Sequence, residues 1–297
     1  ETINKEHIRL MKHKATMKHI IFPVLFVSLL FQSCEKIDIN EGVPSYINIP
    51  SIEVITDPAN EGSNSHKITD AWVYFDNNLQ GVYPLPATFP VLLSGKQNIS
   101  IKAGIKNNGI AATREKYPFY NYFNAEITLI KDSTLLLDSI VVSYADNLDF
   151  HIIDFETGSK EFEETSSSDT TFLLANDTVF EGNSGGVHLV LPHLTFEIAT
   201  EEVPLPKVGT PIYVELNYKC NTAFQVGVFA NYPQTVTATS ILTINPKLEW
   251  NKIYIDLTSA IINTQNADSH KIFISMIRDI NSVQMAELYL DNFKIVY

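Results

Sequence analysis

The sequence predicts an all-β protein with two β-sandwich domains, preceded by a signal peptide and a short tether. Three observations predict this fold class. Beyond about residue 50, no long segment places apolar residues at helical spacing. Short runs rich in Val, Ile, Tyr, Phe and Thr alternate instead with Gly, Pro, Asn and Asp, as is typical of strands and turns. The 297 residues suffice for two domains of roughly 100–200 residues each.

The first element is a short basic segment followed by a short apolar one. Lys18 and His19 lead into the apolar stretch 20–31, which Pro23 interrupts. These 12 residues are too few to cross a bilayer, which takes about 20. The layout predicts that residues 1–33 are a secretory signal peptide with an upstream extension.

The run Leu-Leu-Phe-Gln-Ser-Cys at 29–34 resembles the lipobox of bacterial lipoproteins, in which the peptide is cut before a Cys that receives acyl chains. Ser33 fits the small residue before that Cys, whereas Phe31 stands where the family usually has Leu. The resemblance implies palmitate-type acylation of Cys34, a membrane partner through this anchor, and a Bacteroidota-type outer-membrane lipoprotein of the cell envelope, facing the periplasm or the surface. The alternative is an ordinary cleaved signal with an incidental Cys.

The charge balance excludes nucleic acid as the main partner. The chain has 34 acidic and 21 basic residues, a net charge of -13, whereas phosphate binding needs a basic surface. Cleavage before Cys34 would leave a net charge of -16, so the lipid rather than the charge would hold the protein at an anionic membrane. Cys220 would then have no disulfide partner, and we expect it to be a small strand residue.

The first domain is expected at 51–149, after a tether at 34–50. Its predicted strands are 52–55, 71–75, 88–93, 98–103, 125–130 and 139–144. Asp76-Asn77-Asn78 predicts a tight hairpin turn, because Asn and Asp tolerate positive φ. The segment 76–81, followed by two prolines and then by 94–101, resembles the PEGA-like pattern of extracytoplasmic β domains. This resemblance implies a spacer or adhesion-type module.

The second domain is expected at 150–297, where strict alternation marks half-buried antiparallel strands of two packed sheets. The segment 157–171, rich in Ser, Thr and Glu, is predicted to be a loop inside this domain. One predicted strand directs Ile212, Val214, Leu216 and Tyr218 to one face and Tyr213, Glu215, Asn217 and Lys219 to the other. Similar alternation recurs at 224–228, 253–257 and 272–276.

Several short sequence segments of the second domain resemble segments of the carbohydrate-binding-module-like jelly rolls, also called galactose-binding-like β-sandwiches. They are Asp-Phe-Glu at 154–156, Phe-Glu-Gly at 180–182 before the strand 187–191, Trp-Asn-Lys-Ile-Tyr-Ile-Asp-Leu at 250–257, and Leu-Tyr-Leu-Asp-Asn-Phe-Lys-Ile at 288–295. The resemblance implies a jelly roll, but a shared fold does not define a ligand.

A sugar site needs exposed aromatic faces and fixed polar groups. The outward set that has this composition is Tyr213, Glu215, Asn217, Gln225, Phe229, Tyr254 and Asp256. The alternative is that these side chains pack under loops or simply fit a pleated surface.

The jelly-roll resemblance also implies a structural Ca²⁺ between the first and last strands. Glu156 and Asp291 match that position, and Ca²⁺ takes six to eight oxygen ligands. The alternative is that both are ordinary surface carboxylates of an acidic chain. No other cofactor is expected.

Several motifs of the chain match catalytic or metal-binding patterns, but they lack the structural context that such chemistry requires. Gly-Asn-Ser-Gly-Gly at 182–186 matches G-x-S-x-G, but a predicted strand follows it where a nucleophile elbow needs a helix. His188 and His193 point to opposite faces of a strand, which is poor geometry for one metal. Glu161, Glu163 and Glu164 lie in the Ser-rich loop without a fixed separation. We therefore do not expect an enzyme.

These observations favour a non-catalytic, lipid-anchored envelope protein that binds a glycan or an envelope ligand through its C-terminal jelly roll. The alternative is an accessory lipoprotein subunit of an outer-membrane assembly, in which the jelly roll binds another protein.

Overall fold

The structure is a computed structural model that describes residues 42–156, 162–175, 177–207, 209–281 and 283–297. Residues Pro44–Tyr297 form one compact unit. Among the described residues, no helix is both long and apolar enough to cross a membrane. The predicted signal peptide and the lipidation site Cys34 lie outside the described residues.

The first half of this unit is an N-terminal β-sandwich. Its strands are β1 (Ser45–Ile49), β2 (Glu53–Ile55), β3 (Asp70–Phe75), β4 (Asn78–Pro84), β5 (Ala87–Val91), β6 (Gly95–Lys106), β7 (Arg114–Lys116), β8 (Phe123–Leu129), β9 (Thr134–Leu136) and β10 (Val141–Ser143). The main sheet has the order β4-β3-β6-β7, with β8 also paired to β6. The sheets β5-β1-β9 and β10-β2 complete the sandwich.

The β3–β4 hairpin turns where the sequence predicts it. Asp76 and Asn77 have φ values of 46° and 65°, and Phe75 pairs with Asn78 across the turn. Positive φ at both central residues is the geometry of a type I′ turn, which Asn and Asp adopt more readily than other residues with side chains. This prediction is confirmed.

The predicted tether is too long at its C-terminal end. Residues 45–49, assigned to the tether from the sequence, form β1, which pairs with β5 and β9. Ser45, Ile47 and Ile49 are fully buried. The five-residue alternation before Pro50 was too short to stand out, but pairing on both edges makes it a central strand.

The second half of the unit is a jelly roll of two sheets. Its elements are β11 (Phe150–Ile153), β12 (Glu163–Glu164), β13 (Leu173–Ala175), β14 (Ser184–Leu189), β15 (Thr195–Ala199), β16 (Tyr213–Cys220), β17 (Phe224–Tyr232), β18 (Thr235–Ile244), β19 (Lys247–Asp256), α1 (Thr258–Asn263), β20 (Ser269–Ile277) and β21 (Ala286–Val296). One sheet has the order β13-β14-β21-β16-β19, with β11 on β21, and the other has the order β12-β15-β20-β17-β18. The predicted all-β fold class is confirmed.

The alternation in the second domain determines which side chains fill the jelly-roll core. Val214 and Leu216 from β16 belong to the same hydrophobic core as Val226 and Ile274 from the facing sheet, and all four are fully buried. Interdigitating apolar faces of two packed sheets are the usual source of stability in a sandwich. The predicted domain boundary at residue 149 lies between β10 and β11.

The N-terminal sandwich covers the outer face of the sheet that contains β16, which we call the covered sheet. Glu215, fully buried on that face, accepts hydrogen bonds from Tyr117 (2.7 Å) and Tyr144 (2.6 Å) of the N-terminal sandwich. Its second oxygen lies 3.0 Å from Nζ of Lys252 on β19. A carboxylate removed from water is tolerated only when it is paired and hydrogen-bonded, and both sandwiches supply its partners here.

Lys294, the cross-strand neighbour of Glu215, adds a second tie between the sandwiches. Its ammonium group donates to the backbone carbonyls of Glu61 (2.5 Å) and Ser63 (3.0 Å) in the N-terminal sandwich. Burial lowers the pKa of Lys294 to about 8, against the opposing attraction of Glu215. The loop at 61–63 is thereby bound to the last strand of the jelly roll.

The pKa of Glu215 reflects its partners. Burial alone would raise this pKa, but attraction to Lys252 and Lys294 and the two tyrosine hydrogen bonds lower it below its usual value. Burial, with Glu215 close by, raises the pKa of Tyr117 and Tyr144 well above the usual value. Both hydroxyls therefore remain protonated donors to an ionised Glu215 at neutral pH.

Substitution Glu215→Gln keeps the side-chain shape but leaves the buried ammonium groups of Lys252 and Lys294 without their carboxylate. We expect the free energy of unfolding, measured by urea denaturation, to fall by about 3–5 kcal/mol, the cost of removing one partner from a buried ion pair. Glu249→Gln, an exposed change of the same charge on β19, should change it by less than about 0.5 kcal/mol. Equal effects of the two substitutions would contradict the role given to Glu215.

The same carboxylate predicts a pH dependence. Because the folded-state pKa of Glu215 lies below its unfolded value, its contribution to stability is complete above about pH 4.3 and is lost as the pH falls through the folded-state pKa. We expect the difference in unfolding free energy between wild type and Glu215→Gln to shrink as the pH falls from about 5 towards 3. A difference that stays constant or grows between pH 5 and pH 3 would show that the ionised carboxylate is not the source of stability.

Candidate functional site

The covered sheet contains five of the seven residues predicted to bind a ligand. Tyr213, Glu215, Asn217 and Tyr254 are between 0% and 4% exposed, and Asp256 is partly exposed. The expectation that this face is open is therefore wrong for four of them. The predicted alternation is correct, but the N-terminal sandwich packs on the face that alternation would leave in water.

The buried members of this set bond to the N-terminal sandwich. The Tyr213 hydroxyl donates to Glu115 at 2.7 Å, and Ser65 donates to the side-chain oxygen of Asn217 at 3.0 Å. The Tyr254 hydroxyl accepts a bond from the backbone amide of Lys67 at 3.0 Å. These contacts assign the polar groups to the junction between the sandwiches rather than to a ligand.

Asp256 has a structural contact at the end of β19. Its carboxylate accepts a hydrogen bond from the backbone amide of Thr258 at 2.8 Å, at the start of α1. Its own amide donates to the side chain of Asn108 at 3.1 Å. Asp256 thus helps turn the chain into α1 and contacts the N-terminal sandwich.

The other two predicted residues, Gln225 and Phe229, lie on β17 in the second sheet of the jelly roll. We call this sheet, β12-β15-β20-β17-β18, the open sheet, because its outer face retains exposed side chains within the described residues. Val226 and Val228 of β17 point into the core, so Gln225 and Phe229 point outward by the two-residue period of a strand. Gln225 is exposed and Phe229 is partly exposed.

An aromatic pair lies at the centre of the open sheet. The rings of Phe229 and Phe273 have centroids 4.6 Å apart and planes at 33°. Phe273 is cross-strand from Gly227, and a Cβ at Gly227 would overlap its ring. A glycine in a strand permits such a close approach, so Gly227 lets the Phe273 ring lie flat on the sheet beside Phe229.

Polar groups surround the aromatic pair. Lys271, cross-strand from Phe229, lies 3.2 Å from the carboxylate of Glu163 on β12. Ser240 donates a weak hydrogen bond to Gln225 at 3.3 Å, and Asn231 donates to Ser269 at 3.0 Å. The outer face therefore combines an apolar ring surface with hydrogen-bond donors and acceptors, as ligand sites of proteins usually do.

Sequence reasoning missed Phe273 and Lys271. The signal was present, because the predicted alternation of Ile272, Ile274 and Met276 into the core directs Lys271, Phe273 and Ser275 to the opposite face. What the sequence did not supply was the order of the strands, which makes β20 the neighbour of β17.

The residues of the predicted Ca²⁺ site bond to protein donors. The carboxylate of Glu156 accepts from the backbone and side-chain amides of Asn183, at 2.7 and 2.9 Å. Asp291 accepts from Ser184 at 2.6 Å and from the Glu181 amide at 3.1 Å, and burial raises its pKa to about 6. No group of three or more His, Cys, Asp or Glu in the described ranges is arranged to hold a metal. Ca²⁺ binding by Glu156 and Asp291 stays a prediction.

Ser184 of the G-x-S-x-G match and Cys220 are both buried. The Ser184 hydroxyl donates to Asp291 and accepts from the Phe180 amide at 3.0 Å, so it ties the start of β14 to β21. Burial raises the pKa of the Cys220 thiol. Cys220 is thus the small strand residue that the sequence predicts.

No protein-family model and no curated protein matches the chain. Several solved structures resemble the chain. One comes from work on the promiscuous specificity of carbohydrate-binding modules of the β-sandwich superfamily. It aligns at 14% identity over 86% of this chain and 98% of that one, with a TM-score of 0.38. A family 11 carbohydrate-binding module from Clostridium thermocellum, in complex with a β-1,3-1,4-mixed-linked tetrasaccharide, aligns at 11% identity over 49% of this chain and 94% of that one, with a TM-score of 0.35. A family 29 module from Piromyces equi aligns at 12% identity over 50% and 91%, with a TM-score of 0.32. Similarity at this level does not define a ligand, which has to be inferred from the surface of this chain.

Proposed function

We propose that the protein is a non-catalytic glycan-binding protein whose ligand lies across the open sheet of the jelly roll. The observation that supports this most directly is the partly exposed Phe229 ring, which packs on a Phe273 ring that is 5% exposed. Gln225 and Lys271 lie beside this pair, on the sheet face that the N-terminal sandwich leaves uncovered. In this proposal the N-terminal sandwich is a spacer, as its PEGA-like resemblance implies.

The chemistry of this face suits a sugar. A pyranose ring has an apolar C–H face that packs on an aromatic ring, and hydroxyl groups at its edge that need donors and acceptors. The Phe229 ring supplies the apolar surface for the C–H face of the sugar. Gln225 and the Lys271–Glu163 pair supply hydrogen-bond donors and acceptors for its hydroxyl groups. The strands β15, β20, β17 and β18 together span roughly 14 Å at the usual strand spacing, which exceeds the width of one sugar ring.

Substitution Phe229→Ala should weaken glycan binding by at least about tenfold, or about 1.4 kcal/mol, because it removes the central apolar surface. The core lies on the opposite face of β17, so the fold should be retained. Binding is measured by affinity electrophoresis and calorimetry against soluble β-glucan, xylan, galactan and mannan, after a glycan array selects among them. Tyr122→Ala, at an aromatic residue 45% exposed on the N-terminal sandwich, is the matched control and should leave binding unchanged.

Two results would count against the glycan proposal. One is the absence of binding to any glycan, and the other is equal binding by wild type and Phe229→Ala. If crosslinking from membranes instead captures one protein in fixed stoichiometry, and glycans do not displace it, the protein is an accessory subunit of an envelope assembly.

We further propose that acylated Cys34 anchors the protein to the outer membrane. This proposal is supported by the lipobox-like run at 29–34. A signal of this layout directs a protein to the envelope, and a dual or triple acyl anchor holds a protein at a membrane that its negative charge would otherwise avoid.

Substitution Cys34→Ser should abolish incorporation of an alkyne-labelled fatty acid and move the protein from the membrane to the soluble fraction of a Gram-negative host. The reason is that acylation begins at the Cys sulfur. Cys220→Ser, which alters the buried thiol of β16, should retain label and membrane location. Equal labelling of wild type and Cys34→Ser would contradict the anchor, without bearing on glycan binding.

A further inference from the structure

A cleft of about 210 Å³ lies between the two sandwiches, on the side of the covered sheet. Lys67 and Lys106 line it from the N-terminal sandwich, and Lys247, Asn251 and Lys252 line it from β19. Four of its lining residues are therefore lysines, in a chain in which acidic residues outnumber basic ones by 34 to 21. The lining contains no Asp or Glu among the described residues.

The positive charge of this cleft is only partly neutralised by neighbouring carboxylates. Lys106 and Lys247 form no ion pair within the described part of the chain. Lys252 is paired with Glu215, but that carboxylate is also the neighbour of the buried Lys294. Glu215 is thus shared between two buried ammonium groups, and Lys294 is attracted by Glu61 and Glu181 as well. No carboxylate lines the cleft beside its other lysines.

Lys67 is held in the cleft close to other lysines. Its ammonium group donates to the side-chain oxygen of Asn251, and its backbone amide donates to Tyr254. Burial and repulsion from Lys247 and Lys106 lower the pKa of Lys67. Like charges brought together in this way destabilise a protein unless a counter-ion is present.

We propose that this cleft binds an oxyanion, namely a carboxylate, sulfate or phosphate group carried by a small ligand. An oxyanion would accept charge-assisted hydrogen bonds from ammonium groups of both sandwiches and relieve their repulsion. The cleft is smaller than the 300–1,000 Å³ typical of drug-sized ligands, so it suits a charged group or a single acidic sugar rather than a long glycan. Because both sandwiches line it, the bound anion stabilises their junction.

This site is distinct from the proposed glycan-binding face. The cleft adjoins the covered sheet, whereas Phe229 and Phe273 lie on the open sheet across the jelly-roll core. Failure of anion binding would leave the proposed function intact, and failure of glycan binding at Phe229 would leave the cleft unaffected.

The test is the thermal stability of the full-length protein, followed by calorimetric titration, in sulfate, phosphate or D-glucuronate. Ionic strength is kept constant with sodium chloride, and D-glucose serves as the neutral control. We expect at least one of the three anions to bind saturably and to raise the Tm above that in chloride, since a ligand of the folded state stabilises it. Preference for glucuronate would identify a sugar carboxylate, and preference for an inorganic anion would identify a phosphate or sulfate group.

The double substitution Lys106→Gln and Lys247→Gln should weaken anion binding by at least about tenfold. Without anion it should leave the Tm equal to or above that of wild type, because it relieves repulsion and breaks no ion pair of the described residues. Lys131→Gln, an exposed change outside the cleft, is the control and should bind as wild type does. No difference between the anions and chloride, or equal binding by the double variant, would overturn the proposal.

Discussion

The ionised carboxylate of Glu215 is the interaction on which the arrangement of the two sandwiches depends. It is fully buried, and its partners come from both sides of the junction: Tyr117 and Tyr144 from one sandwich and Lys252 from the other. A buried charge that is hydrogen-bonded in one geometry tolerates few others. The two sandwiches therefore form one compact unit rather than two domains on a flexible linker.

This junction divides the jelly roll into one buried outer face and one exposed outer face. The covered sheet uses its outward polar and aromatic residues to bind the N-terminal sandwich, so they are withdrawn from any ligand. The open sheet keeps Phe229 and Gln225 accessible and adds the partly exposed Lys271 from the neighbouring strand, where the buried Phe273 packs against Phe229. At the edge of the junction, the carboxylate of Glu215 neutralises only some of the nearby lysines. The cleft therefore stays positively charged, although the protein as a whole is acidic.

Local patterns were sufficient where the interaction they describe is itself local. The turn at Asp76 and Asn77 follows from the φ preferences of two residues, and the core positions of β16 and β17 follow from a two-residue period. The strand β1 was missed because five alternating residues before a proline are too few to be distinguished from a tether. Of the seven predicted ligand residues, Gln225 and Phe229 lie on the open sheet, and Tyr213 and Tyr254 are buried at the junction.

The sequence by itself determined that the chain is all-β, that its second half alternates into a jelly-roll core, and that an outward row of polar and aromatic residues accompanies that core. Only the tertiary structure decided which of those outward residues meet water. Alternation states that Glu215 and Phe229 both point away from the core, but it contains no information about what packs on either face. The contacts that bury Glu215 join residues 71 and 98 positions apart, and such long-range pairing depends on how whole sheets pack, not on the spacing of neighbouring residues.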